Sequence, residues 1–252
     1  MVHEHLYHPR FSSILTLHEI DSTNNYASKL IAEGMAVHGH AVFAHIQTAG
    51  KGQRGKDWHS QKNESILMST IIKPTAFKVQ DQFLLIAITA LAVRKVFDKY
   101  ANSDTQIKWP NDIYCLGRKA AGILIENNFT GHQWNWAVIG TGININQKEF
   151  NTSVNRAVSL KQITGKEWDT LVLADEIREE IVKSIDHYSS GSANSIMDEY
   201  NRWLFKKNEI VTFNKEDEQF SATVLKATRM GELVVSGITE EKLQFGEVSW
   251  VL

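Results

Sequence analysis

Cysteine is almost missing from this 252-residue chain: Cys115 is the only one. No intramolecular disulfide can form, which excludes the disulfide-stapled secreted class and makes a reducing, cytoplasmic setting the expectation. Long apolar runs are missing too. The longest, FLLIAITALAV from Phe83 to Val93, falls well short of the ~20 residues that span a bilayer, so no membrane partner is expected. The N-terminal MVHEHLYHPRF lacks the basic-then-apolar layout of a signal peptide. Neither sign of charge dominates: 27 Lys+Arg against 29 Asp+Glu give a formal net charge of −2. A whole-chain basic field that would point to DNA is therefore absent. With 42% hydrophobic and 22% charged residues, the chain suits one large domain, or one large and one small.

Against these absences one stretch stands out. QTAGKGQRGKDW, Gln47 to Trp58, alternates Gly50, Gly52 and Gly55 with Lys51, Arg54 and Lys56. Glycine lets the backbone approach a ligand closely, and interleaved cations suit a phosphate or carboxylate. No Gly-x-x-x-x-Gly-Lys-Ser/Thr occurs, which excludes a Walker loop, and a dinucleotide-binding fingerprint is not expected either. Taken alone, the run reads as a flexible basic surface loop before it reads as an anion site, so corroboration must come from elsewhere in the chain. Ahead of it, His3, His5 and His8 have no acidic or cysteine partner at metal-binding spacing, so a solvated tail is expected. Asp21, Ser22 and Thr23 read as the start of a helix closed by Gly34. The free N–H groups of such a start also suit a polar ligand.

Strands are expected at Ile14–Ile20, Ala41–Gln47 and Ser65–Ile72, the last stopped by Lys73-Pro74. A core helix should follow from about Gln82 to Tyr100. In TQIKWPNDIYCLGRKAAGILIE a strand from Gln106 to Trp109 stops at Pro110, and Asn111-Asp112 turn the chain. It resumes at Ile113, reverses at Leu116–Lys119 and continues from Ala120 to Glu126. Asp112 and Lys119 then lie near the two ends of a short excursion, within reach of one site. Singly, they fit a turn carboxylate and a solvated hairpin lysine. A strand from Trp134 to Ile145 carries Gly140-Thr141-Gly142-Ile143-Asn144, where glycines admit a flat ligand and Asn144 offers a donor and an acceptor. Helices are expected around Arg156 to Ile163, from Asp169 to about Ser189 and from Ser192 to about Phe205. After Lys207, EIVTFN, QFSATVLKAT, GELVVSG and EVSWVL read as a small appended β unit. The expected domains are 1–205 and 206–252.

The segments GKGQRGKDW, KWPND, RKAAGILIE and GTGININ, in that order behind DSTNN, resemble the biotin protein ligases over essentially the whole chain. The resemblance implies an α/β (α+β) fold. A mixed-sheet catalytic domain of the class II synthetase-like biotin/lipoate ligase type would carry a C-terminal SH3-like β-barrel. It implies a two-step reaction: biotin and MgATP give biotinyl-5′-AMP and pyrophosphate, and the adenylate then acylates a lysine of a biotin carboxyl carrier protein or domain, such as that of acetyl-CoA carboxylase. Ser22, Thr23, Asn24, Gln47, Gly50, Lys51, Gly52, Gln53, Lys119 and Gly122 match biotin-contacting positions, with an apolar pocket around Gly122 and Ile123. Arg54, Lys56, Trp58, Asn111, Asp112, Lys119 and Asn144 match the ATP side. There Asp112 would meet Mg²⁺, Asn144 the adenine edge, and Lys119 both the biotin carboxylate and the α-phosphate. Lys119, Arg54 and Asp112 are the implied catalytic set.

Two departures from the family pattern matter. Many members read GRGRxGR where this chain reads GKGQRGK. Lys51 keeps the charge without the bidentate fork, and Gln53 drops it, so a looser hold on the adenylate is expected. About 20 residues precede DSTNN, too few for the DNA-binding helix-turn-helix that some members carry. A ligase without operator binding is the expectation, and a homodimer and a monomer are both compatible with it. Two rivals stand beside it: a lipoate- or octanoate-handling acyltransferase of the same superfamily, and an inactive ligand-binding module. KWPND and GKGQRG favour biotin over the first. Lys119, Asp112 and Arg54 together favour catalysis over the second.

Overall fold

The computed structural model describes residues 6–7, 12–150, 156–216, 218–237 and 239–251; His3, His5 and His8 lie outside them. The elements run β1 (Leu6–Tyr7), β2 (Ile14–Ile20), α1 (Thr23–Ala32), β3 (Ala41–Gln47), β4 (Ser65–Ile72), α2 (Gln82–Ala101), β5 (Thr105–Lys108), β6 (Asp112–Cys115), β7 (Arg118–Thr130), β8 (Gln133–Asn144), α3 (Leu160–Thr164), α4 (Thr170–Asp186) and α5 (Ala193–Arg202). Then come β9 (Ile210–Lys215), β10 (Glu218–Ala227), β11 (Leu233–Ser236), β12 (Glu240–Leu243) and β13 (Val248–Val251). The first eight strands form one mixed sheet ordered β1-β2-β3-β4-β8-β7-β6-β5, parallel only between β2 and β3. The last five form an antiparallel sheet ordered β12-β11-β10-β9-β13.

The pleat of the large sheet decides where a site can be. Every residue of β4 is buried, as suits a central strand covered on both faces. Its Ile66, Met68 and Ile72 join Ile139 and Ile143 of β8 and Ile123 of β7 in the main core with α2 and α4. Their alternates face the other way. Ile71 and Val138 pack with Leu15, Leu17, Val42 and Ala44 beneath Ala27 of α1. Helix α1 has only ten residues, so it covers one end of that face. The remainder, which presents Leu67, Gly122, Leu124, Gly140 and Gly142, lines a cavity.

The structure corrects the sequence reading in two places. Residues 156–163 were expected to be helical, but only Leu160–Thr164 is α3. Ala157 instead forms a parallel bridge with Lys119, and Ser159 starts the helix, its hydroxyl accepting from Gln162 N–H at 3.1 Å. The C-terminal sheet also holds a strand that the runs of β-rich residues did not reveal, β12, paired with β11. That sheet is fastened to the larger one by polar contacts. Asn201 of α5 exchanges two hydrogen bonds with Ala227 (3.0 and 2.6 Å). The Arg229 guanidinium donates to buried Asp81 through Nε (3.1 Å) and Nη2 (2.6 Å). The Trp109 indole N–H donates to Gly231 O at 3.0 Å.

Candidate active site

The cavity measures about 610 Å³ and collects side chains from both sheets. At one end lies the start of α1. Ser22 is the helix N-cap, yet its side chain makes no capping bond. Thr23 turns to Gln47 at the end of β3 instead. Its backbone N–H and its hydroxyl both reach Gln47 Oε1, at 2.7 and 2.9 Å. Asn24 donates through Nδ2 to Glu126 at 2.6 Å. Buried Ser69 of β4 stands between them, its Oγ 2.7 Å from Thr23 Oγ1 and 2.5 Å from Asn24 Oδ1. Space for this corner comes from Gly140, where a Cβ would collide with Asn24 Oδ1.

The middle of the cavity is floored by glycine. A Cβ at Gly142 would sit 2.6 Å from Trp58 Cε2, and one at Gly122 would sit 3.2 Å from both Trp58 Cζ3 and Lys119 Nζ. The indole of Trp58 therefore lies directly on the backbone of β7 and β8. Its Nε1 is buried with no hydrogen-bond partner among the described residues. Lys119 Nζ is 5.7 Å from the centre of that ring and 2.7 Å from Asp112 Oδ1. The tight Leu116-Gly117 turn, with φ of 51° and 72°, folds β7 back on β6 and brings this pair together. A bulge between Ile113 and Tyr114 bends the strand pair next to the lysine. The Lys119 backbone is held on its other side: its N–H donates to Arg156 O at 2.6 Å, and its carbonyl accepts from Val158 N–H at 2.9 Å.

Arg54 and Lys108 stand toward the C-terminal sheet, while Lys51 of the same basic loop turns back to α1. The basic loop folds on itself, with Gly52 N–H donating to Lys56 O at 2.6 Å and Trp58 N–H to Gly50 O at 2.9 Å. Its glycines do have the Gly-x-Gly-x-x-Gly spacing. The context differs from a dinucleotide site, because the run joins β3 to antiparallel β4 with only a short 3₁₀ turn between them. Arg54 takes a left-handed conformation, φ 58°, and its guanidinium donates to Gly246 O in the β12–β13 turn. Lys51 Nζ donates to Asn25 Oδ1 at 2.6 Å. Lys108, paired across strands with Asp112, sits between the rings of Trp250 (5.2 Å) and Tyr114 (5.6 Å). Burial pushes its ammonium down to about 8; the Asp112 carboxylate opposes the shift, and Lys119 and Lys56 add to it. Burial, with Asp112 adding, also raises the Tyr114 phenol.

Ser22, Thr23, Asn24, Gln47, Lys51, Gly52, Gln53, Arg54, Lys56, Trp58, Asn111, Asp112, Lys119, Gly122 and Ile123 all line the cavity. Gly50 and Asn144 are not in its lining. Gly50 sits under the loop, where a Cβ would collide with Trp58 O. Asn144 is buried behind the lysine, donating to Lys119 O at 3.3 Å and accepting from Gln147 at 3.2 Å. Sequence reasoning missed Lys108 and the rim residues Phe245, Gly246, Val248, Ser249 and Trp250 of the lining, and Ser69 and Glu126, which hold Thr23 and Asn24 from behind it. Lys108 opens the KWPND segment, and Ser69 is a polar residue inside an apolar strand, so both left a trace. The rim residues left none. Among the described residues no group of three or more His, Cys, Asp or Glu stands together for a metal, and none of the helices is long and apolar enough to cross a membrane.

The arrangement of mixed sheet, glycine floor, overlying basic loop and C-terminal sheet at the rim is a known fold. It matches the solved biotin protein ligase from Aquifex aeolicus in complex with biotin and ATP, with a TM-score of 0.79 over 94% of this chain and 98% of that one, at 24% identity. The chain belongs to the Biotin/lipoate A/B protein ligase family, whose model matches residues 17–144. The bifunctional ligase/repressor BirA of Bacillus subtilis is 35% identical over 158 residues, 62% of this chain and 48% of that protein. The biotin–[acetyl-CoA-carboxylase] ligase of Mycobacterium tuberculosis is 32% identical over 132 residues, 50% of this chain and 47% of that protein. The chain spans about half the length of these curated relatives.

Proposed function

We propose that this protein activates biotin with MgATP as biotinyl-5′-AMP and transfers the biotinyl group to a lysine of a biotin carboxyl carrier protein or domain. The observation that carries this reading is the position of the Lys119–Asp112 pair. It shares one cavity with the amide and hydroxyl groups of Thr23, Asn24 and Gln47 and with the cations Arg54, Lys56 and Lys108. A ligand with a polar cyclic head and a carboxylate tail fits that polarity. The head would meet Thr23, Asn24 and Gln47, the body would lie on the glycine floor, and the carboxylate would reach Lys119. Lipoate shares the tail but has a dithiolane head without hydrogen-bonding groups, which would leave the polar corner unpaired at a cost.

In the first step a biotin carboxylate oxygen attacks the α-phosphorus and the bond to pyrophosphate breaks. Both reactants are anions, so a compact ammonium that draws them together lowers the barrier most. This reading gives that role to Lys119, whose ammonium Asp112 holds at 2.7 Å. Arg54, Lys56 and Lys108 supply charge for the departing phosphates. Asp112 is the carboxylate that would hold the Mg²⁺ of the nucleotide, which would offset phosphate charge there. In the second step the carrier lysine amine attacks the acyl carbon, AMP leaves and the amine loses a proton. The acetyl-CoA carboxylase carrier is the acceptor class that the family resemblance favours, and the single cysteine supports a cytoplasmic setting. Pyrophosphate release with biotin or lipoate, each with MgATP, tests the reading. Release with biotin is expected, and release with lipoate alone would overturn it.

Two dependences follow from these cations. Lys108 carries its charge below pH about 8 and loses it above, so kcat/KM for ATP, which reports the free enzyme, should fall as pH rises through that value. Lys108→Arg should flatten the fall; an unchanged profile would remove Lys108 from phosphate binding. Gln53→Arg restores a guanidinium to the loop and should slow adenylate dissociation about tenfold, which a chase of preformed adenylate with excess biotin would read. An unchanged off-rate would show that position 53 does not hold the adenylate.

A further inference from the structure

The backbone of Lys119 is held from behind, on the side away from the cavity. The regular sheet does little to fix it. On one side the pairing of β7 with β6 is broken by the bulge between Ile113 and Tyr114. On the other, the ladder from β7 to β8 stops where Ala121 faces Ile143. Two other groups take over. The strip 156–158 brackets the residue, with Lys119 N–H donating to Arg156 O at 2.6 Å and Val158 N–H donating to Lys119 O at 2.9 Å. The Asn144 amide donates to the same Lys119 carbonyl at 3.3 Å.

Both holders lead to Gln147. A backbone carbonyl only accepts, so Asn144 must turn its NH₂ to Lys119 and its oxygen away. That oxygen accepts from Gln147 Nε2 at 3.2 Å, and the same nitrogen donates to Ser65 Oγ at 2.7 Å. The Gln147 backbone carbonyl in turn accepts from the Ser159 hydroxyl at 2.6 Å, and Ser159 follows directly on the strip that brackets Lys119. Ser65, Asn144, Gln147 and Ser159 are all buried, and none of the four lines the cavity.

We infer that Gln147 is a positioning residue that acts through Lys119. Its side chain fixes the orientation of the Asn144 amide and its carbonyl anchors the 156–159 segment, so it sets the peptide from which the lysine reaches Asp112 and the reacting groups. The inference rests on the function proposed above. It puts Asn144 to work behind the lysine, where its amide is already engaged. A small turn of the Lys119 peptide is magnified along the four-carbon stem, and an ammonium that must stand between a carboxylate and a phosphate tolerates little displacement.

Gln147→Glu tests this, because an ionised carboxylate cannot donate. Asn144 would have to turn over and set its own oxygen against the Lys119 carbonyl. Single-turnover adenylate formation is expected to slow about thirtyfold, while equilibrium Kd values for biotin and for ATP stay within about twofold of wild type. The same substitution is then made in the Lys119→Ala protein. There it should cost less than about threefold, because the group it positions is gone. A purely structural role would cost as much without the lysine as with it. Gln147→Met, which conserves volume and also cannot donate, carries the same comparison if Gln147→Glu does not fold. If the wild type is active with biotin, three outcomes overturn this inference alone: Gln147 variants that keep the wild-type rate, that weaken ATP binding instead, or that lose equally in both backgrounds. A wild type that releases no pyrophosphate with biotin overturns the function beneath it, and this inference with it.

Discussion

Lys119→Ala is expected to slow biotin-dependent pyrophosphate release about a thousandfold, while the affinity for biotin alone changes far less. The split follows from geometry. The polar corner that would hold the ligand head belongs to α1, β3, β4 and β7, whereas Lys119 Nζ stands at the glycine floor, 2.7 Å from Asp112. Removing the ammonium leaves the head contacts in place and takes away the one cation positioned between a carboxylate and a phosphate. The Asp112 carboxylate, mostly buried at 19% side-chain exposure, then faces the incoming anions without its partner, which adds repulsion to the lost attraction. Lys119→Arg should recover little, since a planar fork does not reproduce a compact ammonium clamped beside Asp112. Single-turnover measurement of adenylate formation checks this. A Lys119→Ala protein that keeps a tenth of the wild-type rate would remove the lysine from the chemistry.

Gly140→Ala should lower kcat/KM for biotin by about a hundredfold, the cost of leaving buried polar groups unpaired. The added Cβ would collide with Asn24 Oδ1 and lie 3.1 Å from its Cγ. Asn24 has no easy retreat, because Glu126 holds its amide on one side and Ser69 on the other. The ladder bonds of β8 to β4 and β7 hold the glycine backbone equally firmly. The corner must then open, and the donor and acceptor pattern it presents is lost. Gly142→Ala is a useful contrast: its Cβ would meet the Trp58 ring at 2.6 Å, so it should disturb the loop's seat on the floor and leave the Asn24 corner intact. Biotin binding at equilibrium, measured on both variants, separates the two. Equal losses would show that the corner has no special part in recognition.

How much of this was legible in the sequence depended on whether the controlling contact was local. The hairpin that joins Asp112 to Lys119 could be read because Pro110, Asn111 and Gly117 mark its turns within a few residues. The strand Ser65–Ile72 could be read from its mostly apolar run, stopped by Lys73-Pro74. Arg156–Val158 could not. Their helix-like pattern yielded to a tertiary pairing with Lys119, nearly forty residues earlier, that no local pattern records. Asn144 is similar: its amide was expected at a ligand, and the structure turns it to the carbonyl of Lys119. The GTGIN glycines were expected to admit a flat ligand. Both glycines line the cavity, but the side chains that lie against them, Asn24 at Gly140 and Trp58 at Gly142, come from distant segments that the local pattern did not name. Glu126 meets its partner Asn24 across 102 residues of chain, a separation at which a single sequence gives no signal, whereas Ser69 showed only as a polar residue inside an apolar strand, with nothing to name its partner 45 residues away.

Acylation of a carrier lysine is the outcome that decides the proposed function. Incubating a biotin carboxyl carrier domain with this protein, biotin and MgATP, followed by intact-mass and fragment mass spectrometry, should show one biotinyl group on one lysine, with none when ATP is omitted. A carrier that stays unmodified, beside a control ligase that modifies it fully, would contradict that function.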